Sequence, residues 1–469
     1  MVLNSINKLG NDYKKKYGFR DKVINTLDFG KGLNESIIRK ISAHKKENLW
    51  MLQKRLDAYS IYLKKPLPSW GADLSELDYN SIHYFVKASK GVVQNWNDVP
   101  EKIKDTFQKL GIPQAERKFL AGVATQYESE VIYHKLKKQW DKVGIIFEDT
   151  DTAYKKYPEI FKKYFGKLVP SSDNKFSALN TAVWSGGTFI YVPKGVKTTI
   201  PLQTYFRINS KNIGQFERTL IIADENSFIH YIEGCTAPMY TTDSLHSAVV
   251  EVFVEKGARV RYTTIQNWST NVYNLVTKRA VVKENGIMEW VDCNLGSKVT
   301  MKYPSIYLVG NNSHGEILSV ALGSKGQNLD TGAKVIHSGK NTSSIISSKS
   351  ICKNGGKTIY RGFVNILLGA INSRAKINCD ALILDNNSET DTYPTNILNE
   401  GTAIISHEAS VSKVDQQQLE YLMCRGLSSE DASTLVVSGF IEPIVKELPM
   451  EYAMELNLLI KMNMEDSVA

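Results

Sequence analysis

Ala248-Val-Val-Glu-Val-Phe-Val-Glu-Lys-Gly-Ala-Arg-Val-Arg-Tyr-Thr-Thr-Ile265 sets two runs rich in β-branched and aromatic residues on either side of a tight polar turn, Glu255-Lys-Gly257. Such composition supports strands rather than helix. The same texture runs from about 175 to 410, as in Thr219-Leu-Ile-Ile-Ala223 and Ile306-Tyr-Leu-Val309. Further turns fall at Asp224-Glu-Asn226, Glu284-Asn-Gly286, Gly310-Asn-Asn312 and Ser338-Gly-Lys-Asn341, about thirty residues apart, with Asn354-Gly-Gly356 between beats. A stacked β-solenoid needs this rhythm, because each coil buries its inner face on its neighbours. A large β-sandwich gives a similar texture. The pattern therefore establishes an all-β region and favours the solenoid without fixing it.

Helical signals flank the β region. The periodicity from Glu35 through Leu52, Leu56, Ile61 and Leu63 predicts an amphipathic helix over 35–64, stopped by Pro66, Pro68 and Gly71. Further helices are predicted near 100–110 and over 114–141, the second opened by Pro113 and closed at Asp141-Lys-Val-Gly144. After the β region, a helix from Asp415 ends at Gly426, the Ser428-x-x-Asp431 capping box opens another to Gly439, and Pro449 starts a last one.

With 58 Lys+Arg against 49 Asp+Glu the net charge is +9. The excess lies at the front: residues 1–170 carry 31 basic and 20 acidic side chains, against 27 and 29 in 171–469. Runs such as Lys14-Lys-Lys16 and Lys162-Lys163 are short and interleaved with acids, which fits a solvated helical surface better than a nucleic-acid patch. No stretch approaches the roughly 18 apolar residues of a membrane span, and the first residues lack a secretory apolar core. The expectation is a soluble protein. Its 5 cysteines, Cys235, Cys293, Cys352, Cys379 and Cys424, form no CxxC pair, so free thiols in a reducing compartment are expected rather than a disulfide framework or a zinc knuckle.

Two motif look-alikes fail. Gly356-Lys-Thr358 lacks the earlier P-loop glycine, since Ile351 stands there, and His407-Glu408 lacks the second histidine of a zinc protease, since position 411 is Val. Arg207, Arg259 and Arg261 are readable as ion-paired structure, and Met450, Met454, Met462 and Met464 as helix packing. Cys235, Cys379, His407 and Glu408 remain. Thiolate is the soft ligand iron–sulfur clusters prefer, and imidazole or carboxylate can complete an exchangeable site. A lone cysteine is also commonly a buried small hydrophobe, so residue type alone leaves both readings open.

Seven short words decide between them: Glu233-Gly-Cys-Thr-Ala-Pro238, Gln266-Asn-Trp268, Asn274-Leu-Val-Thr-Lys-Arg279, Thr300-Met-Lys-Tyr-Pro-Ser305, Ser406-His-Glu-Ala409, Tyr421-Leu-Met-Cys-Arg-Gly426 and Glu447-Leu-Pro-Met-Glu-Tyr452. In their order the chain resembles the SufB family, scaffolds of the SUF iron–sulfur cluster assembly system, from about residue 120 to its end. The resemblance implies a mainly β protein with α: a helical N-terminal domain (1–165), a right-handed parallel β-helix core (166–412) and a C-terminal helical domain (413–469) that docks an ATPase subunit. It implies a non-catalytic scaffold for de novo cluster assembly. Cys379, with Glu408 and His407, would hold the nascent iron–sulfur cluster at the interface with a SufD-like paralogue or a second SufB. Cys235 would accept sulfur, and Arg207, Asn209, Gln266, Trp268 and Lys278 would line the route between the cysteines. Cations such as Arg207 and Lys278 would favour thiolate there. Implied partners are a SufC-like ATPase, the cysteine desulfurase SufS with a SufE- or SufU-type carrier, and A-type acceptor carriers, in bacterial cytoplasm or plastid stroma. A reduced flavin is linked to the family's complex, although the chain shows no motif for it.

The chain departs from the family pattern in two places. It has no N-terminal CxxCxxxC, and Ser388 stands where a second cysteine often follows the cluster cysteine. Rival readings fare worse: a β-helix lyase or hydrolase needs convergent carboxylates, and Asp385, Glu389 and Asp391 share one polar turn. A SufD-like structural paralogue would lack the Glu-Gly-Cys word and the cysteine at 379.

Overall fold

The computed structural model describes residues 26–87, 122–209, 212–237, 242–448 and 450–464. From Leu202–Arg207 onward the chain passes alternately between two sheets. One sheet has ten strands, running in space from Ile404–Lys413 through Arg374–Ile383, Ser343–Cys352, His314–Gly323, Ile287–Gly296, Arg259–Trp268, Phe228–Thr236 and Leu202–Arg207 to Gly122–Tyr127 and Glu130–Leu136. The other has twelve, from Glu389–Leu398 through Lys357–Ile366, Asn328–His337, Val299–Lys302 and Val272–Val282 back to Ile146–Asp149. Within the stack every pairing is parallel, and each strand meets the one a coil earlier, as Arg259↔Ile287, Ile287↔His314, His314↔Ser343 and Ser343↔Arg374 show. This is a β-solenoid, and the sandwich is excluded.

Side chains alternate along each strand, so one register row lines the interior for the length of the stack. Tyr231, Tyr262, Trp290, Ile317, Ile346 and Ile377 form such a row, in register coil after coil. Across from it run Val252, Ala280, Ile306, Val335 and Val364. All are buried in one continuous core. The aromatic members meet edge-on or tilted, with ring centroids 4.8 Å apart for Tyr231–Tyr262 and 5.0 Å for Tyr262–Trp290.

One corner of each coil is closed by a single residue with left-handed backbone: Asn226, Gly257, Asn285, Asn312, Asn341 and Asn372, all with φ between 54 and 66. Asn and Gly tolerate that region best, because other side chains crowd the following carbonyl. Their N–H groups bond the next coil, as in Asn285 to Asn311 (2.9 Å) and Asn341 to Ile371 (2.8 Å). The turn clusters seen in the sequence are thus the visible part of a ladder.

The flanks differ from expectation in three places. The 35–64 helix is two, Glu35–Lys45 and Leu49–Lys64, because Lys46 turns left-handed (φ 54) and the Asn48 side chain caps the second at Met51 N–H. In place of the 114–141 helix, the antiparallel strands Gly122–Tyr127 and Glu130–Leu136 join the ten-stranded sheet. Val123, Thr125, Tyr127, Val131, Ile132 and Tyr133 prefer that pleated, buried setting, and among the described residues of that span only Lys138 onward is helical, in Lys138–Lys142. The predicted helix near 100–110 lies outside the described residues. The helix from Ser429 runs past Gly439 to Val445, through Pro443.

The N-terminal helices and Lys175–Val183 pack on the outside of the twelve-stranded sheet, against Leu245, Tyr273, Leu275 and Met301. The C-terminal helices Ser429–Val445 and Met450–Met464 cover the outside of the ten-stranded sheet, setting Val437, Ile441, Leu456 and Leu459 against Ile265, Cys293, Val320 and Ile351. Gln416–Cys424 buries nothing. At the first end of the stack Leu136, Trp140, Ile145 and Phe147 fill the interior behind short antiparallel strands. At the other end Glu389–Leu398 and Ile404–Lys413 are bare edges, with Tyr393, Leu398, Ile404 and Val411 exposed.

Candidate functional site

Cys235 and Cys379 both face the interior. Cys235 lies on Phe228–Thr236 and is fully buried; Cys379 lies on Arg374–Ile383, the last coil but one, and is 4% exposed. Glu233, one inward position before Cys235, heads a register row that continues through Thr264, Asp292, Ser319 and Ser348 to Cys379. Beside it runs Cys235, Gln266, Asn294, Ala321 and Ser350. Lys302, Thr331 and Tyr360 follow one another in register on the facing wall, and the Tyr360 phenol is electrostatically coupled to the Cys379 thiol. Five strand spacings of about 4.8 Å separate the two cysteine strands, about 24 Å in all. A polar lane therefore crosses an otherwise apolar core.

The first half of the lane is a hydrogen-bonded network of buried residues. Lys278 reaches Asp292 at 3.0 Å and also bonds Thr264. Lys302 reaches Asp292 at 2.8 Å, Asn294 at 2.9 Å and Gln266 at 3.3 Å. Asn274 donates to Gln266 at 2.9 Å and Thr300 at 3.3 Å, so its oxygen accepts from His246 Nδ1 at 2.8 Å. His246 Nε2 meets Glu217 at 3.2 Å. With an acceptor at each ring nitrogen, His246 carries both protons. The Cys235 thiol donates to Glu233 at 3.6 Å, and the other Glu233 oxygen accepts from the Tyr262 hydroxyl.

Burial and charge act against each other throughout. Burial pushes the Asp292 carboxyl up, but Lys278 and Lys302 outweigh it and hold it at about 2. Burial lowers the Lys302 ammonium against the pull of Asp292. Glu217 is raised to about 7 by burial, with His246 opposing, whereas His246 is lowered by burial yet ends raised through Glu217. Burial, then Glu233 and Glu217, drive the Cys235 thiol far up, and Lys302 and Lys278 only moderate this. The cations act in the expected direction but lose: at rest Cys235 is a thiol. Cys379 is likewise pushed to about 12 by burial, with Tyr360 opposing.

The other expected residues divide. Gln266 and Lys278 sit in the network, and Trp268, in the same apolar cluster as Cys235, meets His246 at a tilt with ring centroids 4.8 Å apart. Arg207 follows Phe206, the residue in register with Cys235, and so projects from the opposite face of its strand, donating to Thr236 at 3.1 Å. The Asn209 N–H bonds Glu128 at 3.2 Å, beside the hairpin turn. The structure therefore groups Arg207 and Asn209 away from Lys278 and Gln266. His407 shares the inner face with Ala409, the register neighbour of Cys379, and its Nδ1 accepts from Asn396 at 3.2 Å. Glu408 is in register with Asn378, exposed and on the other face. Among the described residues no three of His, Cys, Asp and Glu converge to hold a metal ion.

Cys293 packs beneath the C-terminal helices, Cys352 is buried, and Cys424 is exposed. Met462 and Met464 are buried as expected, whereas Met454 is 66% exposed. Sequence reasoning missed Glu217, His246, Asp292, Asn294, Lys302 and Tyr360 and left Glu233 without a role. Glu233 and Lys302 sit inside words already singled out, whereas Asp292 falls in none of them.

A family model described as "SUF system FeS cluster assembly, SufBD core domain" matches residues 206–440, and one described as "SufBD protein N-terminal region" matches residues 35–204. The chain is 59% identical over 457 residues to an iron-sulfur cluster assembly SufBD family protein of Staphylococcus aureus (strain MRSA252), covering 97% of this chain and 98% of that one. The corresponding protein of Staphylococcus haemolyticus (strain JCSC1435) is 59% identical over the same share of both chains.

Proposed function

The chain belongs to the SufBD family of SUF-system iron–sulfur cluster assembly proteins, and on that premise we propose that it is the SufB-type scaffold, which takes up sulfur at Cys235 and holds the nascent cluster at Cys379. One observation carries this reading: both thiols face the solenoid interior, and the row from Glu233 to Cys379 joins them with polar side chains. Gln266 Nε2, Asp292 Oδ2 and Trp268 Nε1 along the lane are buried without hydrogen-bond partners. Such atoms are costly in a sealed core and useful to a polar guest. Sulfur moving as a persulfide or hydrosulfide is kept from water and stray thiols, and Lys278 and Lys302 supply positive charge for it.

The cluster is cargo, not a resident group. Cys379 supplies one thiolate one coil from the bare end, and His407 lies beside it on the same face. A SufD-like paralogue or a second copy, paired onto that end, supplies the remaining ligands. Glu408 serves the cluster from the outer face or after rearrangement of the edge. The exposed helix Gln416–Cys424 and its neighbours fit the docking of a SufC-like ATPase, and a SufS-type desulfurase with its carrier is the sulfur source. A-type carriers receive the finished cluster. No flavin step is included.

Anaerobic reconstitution with iron and sulfide, followed by absorbance and Mössbauer spectroscopy, tests the reading. Cys379→Ala is expected to abolish the cluster signal while ATPase-subunit binding persists; an unchanged spectrum would move the site elsewhere.

A further inference from the structure

Cys235 is the most enclosed thiol in the lane, yet sulfur transfer needs it as a thiolate, since the thiolate is the nucleophile. Burial and two carboxylates hold it protonated, so something must take that proton at the moment of reaction. The groups facing it are Glu233 on its own strand, Gln266 and Tyr262 on the next, Glu217, and the ammoniums of Lys278 and Lys302. Gln266 is not a base, the two lysines are cations, and Glu217 is occupied by His246 at 3.2 Å. Among the described residues Glu233 is the one hydrogen-bonded to the sulfur, at 3.6 Å from Oε1.

We propose that Glu233 is the proton acceptor that activates Cys235, with Tyr262 fixing its carboxylate through the second oxygen. The inference rests on reading Cys235 as the sulfur acceptor. Charge balance supports a local transfer. Glu233 and Asp292 face Lys278 and Lys302, while Glu217 is paired with His246. Expelling the proton to solvent would leave a buried negative charge uncompensated. Moving it to Glu233 leaves the sum unchanged, because the thiolate takes over the charge the carboxylate gives up.

The step is a thiol–persulfide exchange with a donor persulfide. The Cys235 proton passes to Glu233 Oε1, and the thiolate attacks the donor's outer sulfur. A sulfur–sulfur bond forms at Cys235 as the donor's breaks. The donor leaves as a thiolate and takes the proton back from Glu233. One bond is made and one broken, with no net oxidation or reduction.

Glutathione persulfide serves as the probe on the full-length protein, with sulfur gained at the Cys235 peptide followed by mass spectrometry. Wild type loads with little pH dependence between 6.5 and 8.5. Glu233→Gln, which keeps the shape and an acceptor oxygen, loads about a hundredfold more slowly near neutrality and recovers about tenfold per pH unit. Glu233→Asp restores part of the rate. A Glu233→Gln rate and pH profile equal to wild type overturns the role of Glu233 alone. A wild type that takes no sulfur at Cys235 overturns the reading of Cys235 on which the inference rests. Infrared spectroscopy supplies a measurement independent of any change at 233. The S–H stretch that disappears in Cys235→Ser should lie below the position of an unbonded thiol, and a band at the unbonded position counts against the proposal.

Discussion

Asp292 shows at single-residue scale how the interior can carry charge. It is the shared counter-ion of Lys278 and Lys302, all three of them buried. Removing one member of a buried ion set strands the others in low dielectric, at a cost of about 3–5 kcal/mol. Asp292→Asn should therefore lower the urea midpoint sharply, whereas Glu225→Gln, which breaks the exposed Lys194–Glu225 pair, should leave it unmoved. Burial also holds His230 and His337 at about 4, against about 6.5 in an unfolded chain. Between those values the unfolded chain binds more protons than the native one, so stability falls as pH drops through that window. Thermal melts should show the midpoint declining from pH 7 to 4.5, with a shallower decline in His337→Gln. Little of this was legible in the sequence. Lys278 could be singled out by its word, but that Glu233, Asp292 and Cys379 fall in one row depends on exact coil lengths, and these vary from coil to coil.

Strands and corners were the readable elements. Val, Ile, Tyr and Thr runs mark the walls, and the Asn and Gly turns mark left-handed corners that few other residues occupy without strain. Asn341→Ala should cost about 1–2 kcal/mol, whereas Asn341→Gly should stay close to wild type, as denaturant titration would show. The hairpin over 122–136 was misread for a physical reason. Pro113 and Gly144 are sound helix punctuation, but Gly122–Tyr127 answers to the neighbouring strand Leu202–Arg207, a long-range partner that local signals do not contain. Lys46 and Asn48 similarly divide one periodic pattern into two helices, because a side-chain cap competes with continuation.

At the scale of the whole molecule, the order helical, β, helical was visible from composition, but how the helices clothe the two sheets was not. Helices cover the outer face of the ten-stranded sheet and that of the twelve-stranded sheet as far as Met301, and Glu389–Leu398 and Ile404–Lys413 are left as bare parallel edges at the C-terminal end. Along Ile404–Lys413 the N–H groups of Ile404 and, past its end, Val414 point inward to the preceding strand. Alternation then turns the N–H of Val411 outward. Val411→Pro should thus keep the melting temperature while blocking pairing with a SufD-like partner, as sedimentation of the mixed subunits would reveal; undiminished pairing would place the contact elsewhere.

The filled first end gives this edge a further meaning. A like solenoid adding parallel strands meets matching strand direction at the last coil and reversed strands at the first, where Leu136, Trp140, Ile145 and Phe147 fill the interior. The two tips are therefore not interchangeable as joining surfaces.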